Sequence, residues 1–151
     1  MATVNFIRSR GQSRGSLQGV LDYVRQDEKC VADGMKLISG KDCCAETAYA
    51  EFMSTKNSYS KADGRFFYHY TQSFSPEENI TPAQAHQAAL KLAEHYDGFE
   101  VLVATHCDAD HVHSHLVINS VSYADGKKLR QHPHTLEELR NISDGICRDM
   151  A

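Results

Sequence analysis

The hydrophobic pattern points to an α+β domain: a mostly antiparallel central sheet with helices packed on one face. Three observations carry this expectation. Segments with the alternation or β-rich composition of strands occur at residues 3–7, 65–74, 99–105 and 111–123. Segments of helical period or composition follow Ser16, Cys44, Thr81 and Thr135. The two kinds are interspersed without the strict strand–helix alternation of a parallel sheet.

In chain order, TVNFI (residues 3–7) alternates and reads as a first strand. RSRGQSRGS follows; it is polar, basic and glycine-containing, hence a loop. Ser16 is placed to cap a helix whose apolar positions Leu17, Val20, Leu21 and Val24 follow the i, i+3, i+4, i+7 rule. Residues 26–42 look irregular, with Gly34 and Gly40 as breakers. AETAYAEFMSTKNSYS (45–60) reads as a second helix. RFFYHYTQSF (65–74) is dense in aromatic and β-forming residues and is a strand ended by SPEEN. Thr81 caps the next helix, with Pro82 in its first turn and Gln84 completing a capping box. Ala85, Ala88, Ala89, Leu92 and Tyr96 form its buried stripe, and Asp97-Gly98 stops it. FEVLVAT (99–105) is a buried strand, CDAD a short turn, and HVHSHLVINSVSY the strand after it. Gly126 marks a further turn. Thr135 is placed to cap a last helix that has Glu138 at its third position and Leu136, Leu139, Ile142 and Ile146 inward.

The chain has 151 residues, 41% hydrophobic and 24% charged, which suits one domain with a core of ordinary size. It has no apolar run of the roughly eighteen residues that a membrane helix needs. MATVNFIRSR lacks the apolar core of a signal peptide, so the cytoplasm is the expected compartment. The abrupt finish at Ala151, just past the last helix, looks like a fragment of a longer chain. Cys30, Cys43, Cys44, Cys107 and Cys147 match neither a zinc finger nor a disulfide framework and read as free thiols. The net charge of −4 argues weakly against nucleic acid. Its distribution argues the other way: Arg8, Arg10 and Arg14 stand in the first fifteen residues with no acid, and such a local basic face can contact phosphate.

The densest chemical signal is THCDADHVHSHLVINSV (105–121), where four of the nine histidines fall within residues 106–115. In a strand alternate residues share a face, so His111, His113 and His115 project together. A hairpin turn at residues 107–110 brings His106 beside them. A cluster of three imidazoles suits one divalent cation with open coordination positions. His113 and His115 are the firmest pair and His106 the third ligand, with His111 either its substitute or a rim residue. Asp108 can orient a ligand histidine through its second nitrogen, or simply cap the turn. Three neutral ligands leave the ion's charge nearly intact, which favours an anionic substrate such as a phosphodiester.

HCDADHVHSHLVIN resembles the third motif of the plasmid and transposon mobilization relaxases, within the HUH endonucleases and close to the MOBP class. The matching residues are His106, Asp108, His113, His115 and Asn119, with Ser114 where the family usually has a hydrophobic residue or Asn. YTQSFSPEENITPAQAHQAALKLAE is similar to the second motif, in which Ser73 matches a serine implicated in holding DNA. GSLQGVLDYVRQDEK resembles the first motif, whose helix carries the nucleophilic tyrosine; Tyr23 and Lys29 occupy the tyrosine and lysine positions. On its helix Tyr23 falls about 60° beyond Val20, at the rim of the buried face.

The resemblance implies one relaxase domain over residues 1–151 with an RRM-like palm. Its implied activity is site- and strand-specific nicking of single-stranded DNA at an origin of transfer. Tyr23 would become joined to a 5′ phosphate with the help of one divalent cation, Mn2+ or Mg2+. Arg8, Arg10, Arg14, Lys29 and Ser73 are the implied DNA contacts; Asp108, His111 and Asn119 are candidate outer residues of the metal site. Accessory mobilization proteins and a coupling protein are the implied partners, without membrane insertion. Rival readings are a rolling-circle replication initiator, a water-using metal-dependent nuclease and a non-catalytic DNA-binding module. The order here, tyrosine before histidines, favours the relaxase.

Overall fold

The alternating segments pair into one antiparallel sheet of five strands. The computed structural model describes residues 2–9 and 11–151. Its strands are β1 (Thr3–Phe6), β4 (Ile38–Lys41), β5 (Phe67–Ser73), β6 (Val101–His106) and β7 (His113–Asn119), in the spatial order β1-β5-β7-β6-β4. The helices are α1 (Arg14–Val24), α2 (Asp27–Cys30), α3 (Ala48–Ser58), α4 (Pro82–Ala93) and α5 (Thr135–Met150). Among the described residues no helix is long and apolar enough to cross a membrane.

Strand alternation sorts the side chains between two faces. On one, Val4, Tyr68, Tyr70, Val101, Val103, Leu116 and Ile118 pack under α4 and α5, which contribute Ala89, Leu92, Ala93 and Leu139. This is the helix layer expected from the sequence, and it places Tyr68 and Tyr70 in the core. The opposite face carries Phe67, Leu102, Ala104 and Val117, covered by Leu17, Leu21 and Val24 of α1 and Phe52 of α3. Each of those fully buried aliphatic side chains contributes roughly 1.5–3 kcal/mol. The histidines occupy the end of the sheet where β6 finishes and β7 begins, which only the last turn of α1 reaches, through Tyr23 and Val24.

Local signals held where side-chain chemistry fixes the backbone. Thr81 accepts from Gln84 N and Gln84 returns a side-chain bond to Thr81 N, the expected capping box. Other boundaries move. The cap of α1 is Ser13, not Ser16: its hydroxyl accepts from Ser16 N at 3.0 Å, and the helix starts a turn earlier. Thr135 is the first residue of α5, not its cap, because its hydroxyl is turned back to accept from His132 N. Of the apolar positions expected inside α5, Leu139 is buried, while Leu136, Ile142 and Ile146 are only partly so. The stretch expected to be irregular holds α2, the hairpin β2 (Val31–Ala32) and β3 (Met35–Lys36), and the edge strand β4. Asp33 and Gly34 have φ of 52° and 77°, the two positive values of a type I′ turn. Its flanking strands are too short to show alternation. The connection from β6 to β7 spans residues 107–112, longer than the expected tight turn, so β7 begins at His113 and leaves His111 in the loop.

At the far end of the site face Lys56, fully buried, donates to Phe66 O (2.6 Å), Asn119 Oδ1 (2.6 Å) and Ser120 Oγ (2.8 Å). Burial, then the nearby Lys128 charge, pushes its ammonium down to about 7, opposed by the Glu100 carboxylate. Asn119 also donates to Glu100 Oε1 and Phe52 O. This network joins α3 to β7. Lys56→Met is expected to lower unfolding free energy by roughly 2–4 kcal/mol through stranded acceptors, read as a shift in the urea midpoint.

Candidate active site

The site is built by register. β6 and β7 pair so that His106 lies directly opposite His113, and Ala104 opposite His115. Directly paired residues share a face, so all three imidazoles project together. Their ring centroids are 4.4 Å (His106–His115), 5.0 Å (His106–His113) and 5.1 Å (His113–His115) apart. One ring nitrogen from each lies within 4.8 Å of the others.

Two neighbours fix the rings. His106 Nε2 lies 2.9 Å from Val24 O. A carbonyl only accepts, so Nε2 carries the hydrogen and Nδ1 keeps the lone pair. His115 Nδ1 lies 2.8 Å from His69 Nε2, leaving His115 Nε2 for a ligand. His113 Nδ1 and His115 Nε2 are buried without a hydrogen-bond partner among the described residues. Stranded nitrogens are costly in an interior unless something binds them. Burial, then the neighbouring imidazoles His69, His106 and His113, pushes His115 down to about 2. His113 is lowered by burial first and His106 second, and His69 falls to about 4 for the same two reasons. His113 and His115 are thus free bases at neutral pH, the form that ligates a metal. Two buried, unpartnered ring nitrogens with a third imidazole beside them fit one divalent cation. His106, His113 and His115 are the residues that would hold it.

Tyr23 stands next to this cluster. With Leu17, Leu21 and Val24 on the sheet, the residue before Val24 falls at the rim of α1, and Tyr23 is 48% exposed. Its ring centroid is 6.1 Å from those of both His106 and His115. Lys29 Nζ sits 4.9 Å from the Tyr23 ring centroid, close enough for a cation–π contact. The His106–Val24 bond ties a triad imidazole to the carbonyl next to Tyr23, so helix and triad are positioned together.

The other expected site residues separate. Ser73 pairs with His113 across β5 and β7 and lies at the edge of the cluster. Arg8 and Arg14 are exposed, whereas Arg10 lies outside the described residues. His111 is exposed, its ring 5.3 Å from that of His113, a rim position. Asp108 is exposed in the loop, and the bond to His115 comes from His69 instead. Asn119 shares the face but belongs to the Lys56–Glu100 network. At about 3.3 Å per residue it is about 13 Å along the strand from His115. His69, not among the residues expected from the sequence, shares a face of β5 with Ser73 and meets His115 there. Replacing His69 with Phe removes an outer partner of His115 and is expected to weaken divalent-cation affinity about 10- to 100-fold, measured by Mn2+ titration.

Fold and site together define a class of domain: an antiparallel sheet presenting three metal-suited histidines to a helix-borne tyrosine. The family model for the relaxase, MobA/VirD2-like, nuclease domain matches residues 23–151, which include Tyr23 and the triad. The chain belongs to that family, a relaxase nuclease domain. It is similar to a Protein rlx of Staphylococcus aureus, 40% identical over 110 residues, covering 72% of this chain and 33% of the relative. A second Protein rlx of that species is 39% identical over 112 residues, covering 74% of this chain and 35% of the relative. Group II intron-interrupted relaxase LtrB of Lactococcus lactis subsp. cremoris (strain MG1363) is 38% identical over 63 residues, covering 40% of this chain and 11% of the relative. The chain thus spans about a third of the length of the Rlx relatives.

Proposed function

We propose that this domain nicks single-stranded DNA at a specific site in an origin of transfer, with Tyr23 as nucleophile. The observation that carries the reading is the Tyr23 ring at 6.1 Å from both His106 and His115. Tyr23 Oη attacks the phosphorus of one phosphodiester. The Oη–P bond forms as the P–O3′ bond breaks, the electron pair leaves on O3′, and the phenol proton is released at the exposed side of the ring. The upstream DNA ends in a 3′ hydroxyl and the downstream 5′ phosphate stays on Tyr23. One phosphoester bond replaces another, so a 3′ hydroxyl can reverse the step and reseal DNA.

His106, His113 and His115 would hold a divalent cation, Mn2+ or Mg2+, which would supply positive charge against the phosphoryl oxygens. His69 keeps His115 turned toward it, and Val24 O does the same for His106. Lys29 and Ser73 flank the reacting phosphate, while Arg8 and Arg14 contact the strand beyond it. The test is a labelled single-stranded origin oligonucleotide incubated with Mn2+ and resolved on a denaturing gel. A protein-linked DNA band is expected. Cleavage without such a band would mean a water-using nuclease, and no cleavage a binding module.

Electrostatic contact with the strand makes binding salt-dependent. Arg14→Ala is expected to reduce the slope of log K against log salt by about 0.7, one single-strand phosphate contact, measured by fluorescence anisotropy at several salt concentrations.

A further inference from the structure

Behind the histidines, on the reverse face of the sheet, runs a chain of four hydrogen-bonded side chains from four different elements. Ser39 Oγ on β4 lies 2.7 Å from His86 Nε2 on α4. His86 Nδ1 lies 2.8 Å from Thr105 Oγ1 on β6. Thr105 Oγ1 lies 2.8 Å from Ser114 Oγ on β7. Thr105 and Ser114 are fully buried and His86 is 5% exposed. Both nitrogens of His86 are used, one as donor and one as acceptor, so a neutral ring satisfies every link.

The placement of this chain relates it to the site. Thr105 and Ser114 are directly paired, with the pair His106–His113 on one side and Ala104–His115 on the other. The hydroxyl bond therefore clamps β6 to β7 one residue inside the point where the ladder ends and the loop at 107–112 begins. Strand ends fray, and here fraying would part His106 from His113. Alternation puts the hydroxyls and the imidazoles on opposite faces, so the clamp does not occupy the site. A fully satisfied buried polar network fixes one geometry more sharply than apolar packing does.

We propose that His86, Thr105 and Ser114 are positioning residues, whose hydrogen bonds hold β6 and β7 at the spacing that brings His106, His113 and His115 to one point. The inference rests on the reading of those three histidines as the metal site. Paired substitutions at Thr105 test it. Thr105→Val keeps the shape and removes the hydroxyl; Thr105→Ser keeps the hydroxyl and removes the methyl. Co2+ is titrated into the 151-residue chain, with the visible d–d bands reporting affinity and ligand geometry. Thr105→Val is expected to weaken Co2+ about threefold to tenfold and to alter the bands, less than loss of a direct outer partner. Thr105→Ser is expected to match the parent chain.

The opposite pattern, with Val retained and Ser impaired, would show a packing role and overturn the proposal. Equal affinities and spectra in both variants would overturn it too. Ser114→Ala carries the same expectation as Thr105→Val, and serves if that variant does not fold. His113→Ala separates the two levels of failure. If the parent chain and His113→Ala respond to Co2+ alike, the metal site itself is refuted. If His113→Ala loses the bands while Thr105→Val keeps them, only the positioning role is.

Discussion

Tyr23→Phe is expected to abolish the covalent protein–DNA adduct while leaving DNA affinity within about twofold. The change removes one oxygen from a side chain that is 48% exposed and has no hydrogen bond to lose among the described residues. The fold and the binding face should therefore be unaffected, and the loss falls on the bond-forming step. Removing a nucleophile typically costs roughly 10^4- to 10^6-fold in rate. The check is single-turnover cleavage on a denaturing gel, with anisotropy for binding. Full adduct yield in the variant would transfer the role to another of the seven tyrosines. Tyr68 and Tyr70 are poor substitutes, since both are packed on the reverse face of the sheet.

The second large effect is expected at His113. His113→Ala deletes one of three donors, and His113 is only half-buried, so stability without metal should change by less than about 1 kcal/mol. Divalent-cation affinity should fall more than about 100-fold, since loss of an outer partner alone costs 10- to 100-fold. Adduct formation at micromolar Mn2+ should fall in parallel and recover in part at millimolar Mn2+. His115→Ala is a less clean variant, because it also leaves buried His69 without its partner at 2.8 Å.

Periodicity made much of this site legible. Alternation along one strand put His113 and His115 on one face, and an antiparallel return was enough to bring His106 opposite. The position of Tyr23 at the rim of its helix followed from where Leu17, Leu21 and Val24 had to point. Interstrand register did not follow from either pattern. His69 meets His115 because β5 and β7 pair with Thr71 opposite His115, and nothing in YHYTQSF fixes that alignment. Parity also gives a face without a distance: Asn119, placed among the site residues by the family resemblance, shares that face but lies in the Lys56 network. The loop after His106 was longer than its turn residues suggested, and His111 moved from the strand to the rim.

The helix ends teach the same lesson on a smaller scale. Ser13 and Ser16 are both able to cap, and their hydroxyls lie 3.0 Å apart. The backbone is extended at Ser13 and already helical at Ser16, so the Ser13 hydroxyl is the one that accepts from Ser16 N. By contrast Thr81, Pro82 and Gln84 combine three local preferences at one boundary, and no rival was available.

At the centre of the account is a cation held by His106, His113 and His115 next to the Tyr23 ring. The most direct measurement is paramagnetic broadening by stoichiometric Mn2+ in protein whose tyrosine rings carry 13C, with the Tyr23 signal assigned by its loss in Tyr23→Phe. The account predicts that Tyr23 broadens first and most strongly among the tyrosines, and that His113→Ala abolishes the effect. A Tyr23 signal untouched by one equivalent of Mn2+, or broadening that persists in His113→Ala, would contradict it.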